Sequence, residues 1–138
     1  MRVLLDTNVI LDQISLRQPF FNDSHRIIEL CTNKKIEGFV AAHSVTNIFY
    51  ILRHEMSLEE RRSVLIGFCK LLTVVGIDKE KLIASLENEY FSDVEDCLQT
   101  ECAKSCGADY IVTRNVKDFQ SSAVPAILPD EFLKLINN

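Results

Sequence analysis

No stretch of this chain approaches the roughly twenty consecutive apolar residues needed to cross a bilayer. Met1-Arg2 leads directly into the strand-like Val3-Leu4-Leu5, without the basic, apolar and small-residue order of a signal peptide. A cytoplasmic protein without membrane association is expected. The five cysteines, at 31, 69, 97, 102 and 106, are odd in number and include no C-x-x-C pair. That speaks against both a disulfide framework and a zinc site. Cys102 and Cys106 can share a helical face, and the set reads as reduced thiols packed against a core. Only four glycines and three prolines occur in 138 residues, and no repeat, linker or composition break is visible. Disorder and low complexity are excluded, and one domain spanning 1–138 is expected. Positive charge is also scarce: the formal net charge of −5 argues against a broadly basic nucleic-acid binder. A nucleic-acid partner would need a metal ion or local help from Arg53, Arg61 and Arg62, or from Arg114 and Lys117. Scattered cations of this kind usually read as solvated surface.

What is present is an alternation. Residues 2–5 form a buried-strand run that breaks at Asp6-Thr7-Asn8 into a helix. Asn22 or Asp23 can cap a helix carrying Ile27, Ile28 and Leu30, and Gly38–Ala42 supplies a second strand. Ser44 can cap a helix to about Arg53, and Ser57-Leu58-Glu59-Glu60 has the pattern of a capping box. Leu71–Ile77 reads as a third strand, followed by a helix capped by Asp78. Ser92-Asp93-Val94-Glu95 repeats the capping-box pattern before a helix to about Cys106, with Gly107 suited to its C-terminal cap. Tyr110–Thr113 is a strand, Val124–Leu128 an edge strand containing Pro125, and Pro129 opens a last helix. Parallel strands need crossovers, which are normally helical. The pattern therefore predicts an α/β fold with a mainly parallel central sheet and helices on both faces.

In that architecture ligands sit beyond the carboxyl ends of the strands. Three acidic points fall there: Asp6 after the first strand, Asp93 and Asp96 at a helix start, and Asp118 after the strand ending at Thr113. Hard divalent cations such as Mg²⁺ and Mn²⁺ prefer carboxylate oxygen, and can activate water against a phosphodiester. Each residue also has a plainer reading. Asp6 and Asn8 can satisfy amides at a helix start, Asp93 and Asp96 suit a helix's first turn, and Asp118, Thr113 and Asn115 are common loop residues.

The order of these residues resembles a known family. Val3-Leu4-Leu5-Asp6-Thr7-Asn8-Val9, then Glu95-Asp96-Cys97-Leu98-Gln99, then Ala108-Asp109-Tyr110-Ile111-Val112-Thr113-Arg114-Asn115-Val116-Lys117-Asp118-Phe119 look like a PIN domain. The resemblance extends to Pro129–Leu133 and is close to small bacterial PIN proteins related to VapC-like toxins. It implies a three-layer α/β fold and a ribonuclease dependent on Mg²⁺ or Mn²⁺. Asp6, Asp96 and Asp118 would be its catalytic and metal-binding carboxylates, and Asp93 a further one. Thr7, Asn8, Thr113 and Asn115 would be supporting polar groups. It also implies an RNA substrate, an antitoxin partner and a homodimer. One position departs from the pattern: the helix after the second strand usually carries a Glu where Asn47 stands. The loss of a charge predicts weaker metal binding, with Asp93 or Glu95 able to compensate, and keeps open a PIN fold that binds RNA or protein without cutting. Asp6-Thr7-Asn8-Val9 also resembles the Asp-x-Asp-x-Val signature of haloacid-dehalogenase-type phosphatases, but the second Asp is missing.

Overall fold

The computed structural model describes residues 1–137. Five parallel strands form one sheet in the order β3-β2-β1-β4-β5. The strands are β1 (Arg2–Leu5), β2 (Glu37–Ala41), β3 (Thr73–Val75), β4 (Tyr110–Val112) and β5 (Ala126–Ile127). The helices are α1 (Thr7–Ile14), α2 (Phe21–Thr32), α3 (Ala42–Ile51), α4 (Leu58–Leu71), α5 (Lys79–Glu87), α6 (Val94–Ser105) and α7 (Pro129–Ile136). Short 3-10 turns occupy Leu52–His54 and Val116–Phe119.

Alternation along β1 divides the core. Val3 and Leu5 face a cluster with Val9, Ile10, Ile27, Ile48, Leu65 and Phe132, drawn from α1, α2, α3, α4 and α7. Leu4 faces the opposite cluster, with Phe39, Ile111 and, from α6, Cys102 and Ala103. Both faces of the sheet are thus covered, as its continuous apolar strands require. The expected α/β fold with a parallel sheet between helical layers is what the chain adopts. Among the described residues no helix is long and apolar enough to cross a membrane. The cysteines are all free thiols, and burial pushes Cys31 up to about 12 and Cys102 up to about 11, so both stay protonated.

Three helix starts differ from expectation. α2 begins at Phe21, so Asn22 and Asp23 lie inside its first turn, where Asp23 favours the positive end of the helix dipole. α3 begins at Ala42, and Ser44 is an interior helical residue whose fully buried hydroxyl has another task. At α6 the cap is Asp93, whose Oδ1 accepts from Glu95 N at 2.8 Å, so the box expected from Ser92 does not form. The Ser57–Glu60 box does form, as does the Asp78 cap, and Gly107 takes φ +67° just past α6, a conformation that favours glycine.

Candidate functional site

Asp6 stands where β1 ends and α1 begins, and it is 7% exposed. Its two oxygens are divided between neutral donors from three parts of the chain. Oδ1 accepts from Thr7 N at 2.8 Å and from Gln99 Nε2 at 3.1 Å. Oδ2 accepts from Thr113 Oγ1 at 2.8 Å and from Asn8 Nδ2 at 3.3 Å. No Lys or Arg is among these partners. Burial pushes the Asp6 carboxyl above its ordinary range, and the nearby Asp118 adds to this, while the Thr113 and Thr7 hydrogen bonds and His43 oppose it.

A cleft of about 400 Å³ opens over this residue. Its walls come from α1 (Thr7, Asn8, Leu11), α3 (His43, Asn47, Tyr50, Ile51) and α6 (Glu95, Asp96, Gln99), with Asn115 at the mouth of the loop after β4. It lies beyond the carboxyl ends of the central strands, where a parallel sheet leaves room for a ligand. Among the described residues lining it there is no Lys or Arg. Asp96 is half-buried in the wall, and its carboxyl is raised to about 7 by burial, then by the negative charges of Asp93, Asp6, Asp118 and Glu95.

Of the residues singled out from sequence, Asp6, Thr7, Asn8, Asn47, Glu95, Asp96 and Asn115 therefore line one cleft. Thr113 is fully buried beneath it and holds Asp6. Asp118 sits on the exposed 3-10 turn outside the wall, close enough for its charge to act on Asp6 and Asp96. Asp93 is exposed and occupied as the α6 cap.

Four residues were not readable as site components. Ser44 accepts from Thr7 Oγ1 at 2.9 Å and from Gln99 Nε2 at 2.7 Å, joining α1, α3 and α6 beneath the cleft. Gln99 is 2% exposed, and a Gln amid Cys97, Leu98, Cys102 and Ala103 on a buried face is itself a signal of a polar partner. His43 lies one turn before Asn47, on the same face of α3. Burial lowers its pKa, against the raising effects of Glu95 and Asp6. Asp12, fully buried on α1, pairs with Arg114: Nε to Oδ2 at 2.6 Å and Nη2 to Oδ1 at 3.1 Å. Arg114 is thus committed to the fold and is not free surface. Its backbone N also donates to Asn8 Oδ1 at 3.2 Å, so the loop after β4 is tied to α1 at two points.

Asp6, Asp96, Glu95 and two amide side chains offer oxygen, the donor that hard divalent cations prefer. Burial first, and neighbouring carboxylates after it, raise Asp6 and Asp96, and a cation would favour the charged form of both. Among the described residues no three carboxylate, imidazole or thiol groups converge closely enough to share an ion. The set therefore fits a hydrated cation bridged by water rather than one fully enclosed by protein.

A parallel sheet covered by helices on both faces, with carboxylates gathered beyond its carboxyl end, defines a three-layer α/β fold with an acidic cleft. More particularly, residues 2–117 match the PIN domain, and the chain belongs to the PIN-domain family. No curated protein sequence is a match. Solved structures share the fold. VapBC2 from Rickettsia felis, bound to a promoter DNA fragment, is 19% identical with a TM-score of 0.66, covering 93% of this chain and 98% of that one. A toxin–antitoxin complex from Klebsiella pneumoniae is 19% identical with a TM-score of 0.67, covering 92% and 97%. VapC20 of Mycobacterium tuberculosis, a sarcin-ricin loop cleaving toxin, is 10% identical with a TM-score of 0.62, covering 79% and 86%.

Proposed function

We propose that the protein is a divalent-metal-dependent ribonuclease that hydrolyses phosphodiester bonds of single-stranded RNA. The observation that carries this reading is the cleft, in which the charge of the buried Asp6 acts on the half-buried Asp96 and, among the described residues, no Lys or Arg stands in the wall. When bound, Mg²⁺ or Mn²⁺ would offset the charge of the scissile phosphate and make water a better nucleophile. Asp6 and Asp96 would hold it, with Asp118 acting through its charge from outside the wall. Thr113, Thr7, Asn8 and Gln99 keep the Asp6 carboxylate in one orientation, and Asn115 supplies an amide at the entrance.

The strand itself has a landing on the rim. Tyr50 is 63% exposed and lines the cleft, and the Arg53 guanidinium lies 3.8 Å from its ring centroid. An aromatic ring beside an arginine is the sequence-tolerant platform on which unpaired bases stack. That supports a single-stranded substrate.

A cytoplasmic homodimer, held inactive by an antitoxin, completes the proposal. Its antitoxin part draws support from the toxin–antitoxin complexes among the fold neighbours. A second reading rests on Asn47: its neutral amide lines the cleft where the family pattern has a carboxylate, which favours a fold that binds RNA without cutting. Cleavage of single-stranded RNA by the purified protein separates the two. Cutting in Mn²⁺ or Mg²⁺ that stops in EDTA and is lost in Asp6→Asn and Asp96→Asn is expected. Undiminished cutting by both variants would assign the activity to a contaminant, and no cutting by the parent protein would leave the binding reading.

A further inference from the structure

Among the described residues, the buried side-chain polar atoms without a hydrogen-bond partner are Ser24 Oγ, Ser85 Oγ, His43 Nδ1 and Gln99 Oε1. The last two belong to residues that line the same cleft. Buried polar groups are normally paired, so two orphans on residues of one cleft, one on α6 and one on α3, ask for an occupant.

The Gln99 amide cannot resolve this by turning over. Its Nε2 donates to Asp6 Oδ1 at 3.1 Å and to Ser44 Oγ at 2.7 Å, which uses both of its hydrogens. Reversal would set the carbonyl oxygen against the Asp6 carboxylate. Oε1 is therefore left as an acceptor by the same bonds that orient Asp6. Across the cleft, His43 stands on the α3 face that also carries Asn47, and its Nδ1 is an acceptor when the ring proton is on Nε2.

Water on a divalent cation has its lone pairs turned to the ion and offers only hydrogens, so it needs acceptors around it. Asn47 reduces the charge available for that role. We propose that Gln99 Oε1, with His43 Nδ1, forms a neutral acceptor face that receives the hydration shell of the divalent cation. Gln99 is then a positioning residue: one end fixes Asp6 and the other fixes the water shell. This rests on the cation-binding part of the function above and extends it to residues that carry no charge. It also accounts for a polar amide held 98% out of solvent at the centre of α6, where an apolar residue would pack without an unpaired oxygen.

Mn²⁺ titration of the metal-stripped full-length protein, with free ion read by electron paramagnetic resonance and no RNA present, tests this. Gln99→Met keeps the volume and removes both donor and acceptor; affinity is expected to fall about tenfold or more, the usual cost of losing such a partner. Gln99→Glu keeps an acceptor but loses the donors and faces Asp6 with a like charge. It is expected to melt lower than Gln99→Met in EDTA yet bind Mn²⁺ at least as tightly as the parent. Opposite rankings in stability and affinity are what a purely structural residue would not produce. Parental affinity in Gln99→Met, or an affinity ranking that follows the melting temperatures, overturns the assignment. A parent protein that binds Mn²⁺ but cuts no RNA would instead overturn the nuclease reading alone.

Discussion

Thr113 Oγ1 donates to Asp6 Oδ2 at 2.8 Å, joining residues 107 positions apart in sequence. The bond exists because β1 and β4 are parallel neighbours in register, with Leu5 opposite Val112, so the residue following each strand emerges at the same edge. Adjacent strands thus set the carboxylate and its hydroxyl donor side by side. Asn115 N donates to the same Thr113 oxygen at 3.0 Å, which fixes the loop that follows.

The raised Asp96 carboxyl has a consequence in pH. Its folded pKa, about 7, exceeds its ordinary value of 3.8, so its contribution to stability is fully present below about pH 4 and is lost as pH rises through 7. In EDTA, the Asp96→Asn variant is expected to gain melting temperature relative to the parent as pH goes from 4.5 to 8. A constant difference between the two would refute the shift. Mn²⁺ binding by the parent should strengthen over the same interval, because the ion and the proton compete for the carboxylate.

Restoring the charge at position 47 should deepen the site. Asn47→Glu is expected to tighten Mn²⁺ binding by about tenfold, since affinity for hard cations rises with ligand charge. Calorimetry measures it directly. Unchanged affinity would mean that position 47 is too far from the ion to matter.

The Arg114–Asp12 pair is a stability element with a reach into the cleft. Arg114→Ala leaves a fully buried carboxylate without its cation, which is expected to cost about 3 kcal/mol in urea unfolding. Asp12→Asn combined with Arg114→Leu should recover part of that loss. If the single variant unfolds like the parent, Asp12 has another way to be satisfied.

On the proposed function, Tyr50 is expected to separate single-stranded from base-paired RNA. Binding of a short single-stranded RNA in Ca²⁺, followed by fluorescence anisotropy, is expected to weaken about tenfold in Tyr50→Ala and to persist in Tyr50→Phe. Duplex RNA should show no such dependence. Equal binding of single strands by Tyr50→Ala would remove the rim from the substrate path.

The strand–helix alternation and the acidic positions were legible because each leaves a local mark: short apolar runs, capping residues, and carboxylates placed after strands. Ser44 was not, because a serine near a helix start looks like a cap until the backbone shows α3 beginning at Ala42. Its real partners, Thr7 and Gln99, lie 37 and 55 residues away, and only packing brings them together. Gln99 and Asp12 left a subtler trace. Each interrupts an apolar face, Asp12 after Val9-Ile10-Leu11 and Gln99 beside Cys97-Leu98, and a polar group on such a face must find a partner in the fold. The sequence marks that need without saying which residue meets it.

The two outermost strands are very short: β3 has three residues and β5 two, with Pro125 lacking an N–H immediately before the latter. A foreign strand would find only two or three backbone partners on either side, too few to template growth of the sheet. Backbone pairing is thereby a poor route both to aggregation and to recognition. A protein partner is therefore expected to read side chains on the helices and loops, so a change of partner can evolve by surface substitution while the sheet and the cleft it supports stay as they are.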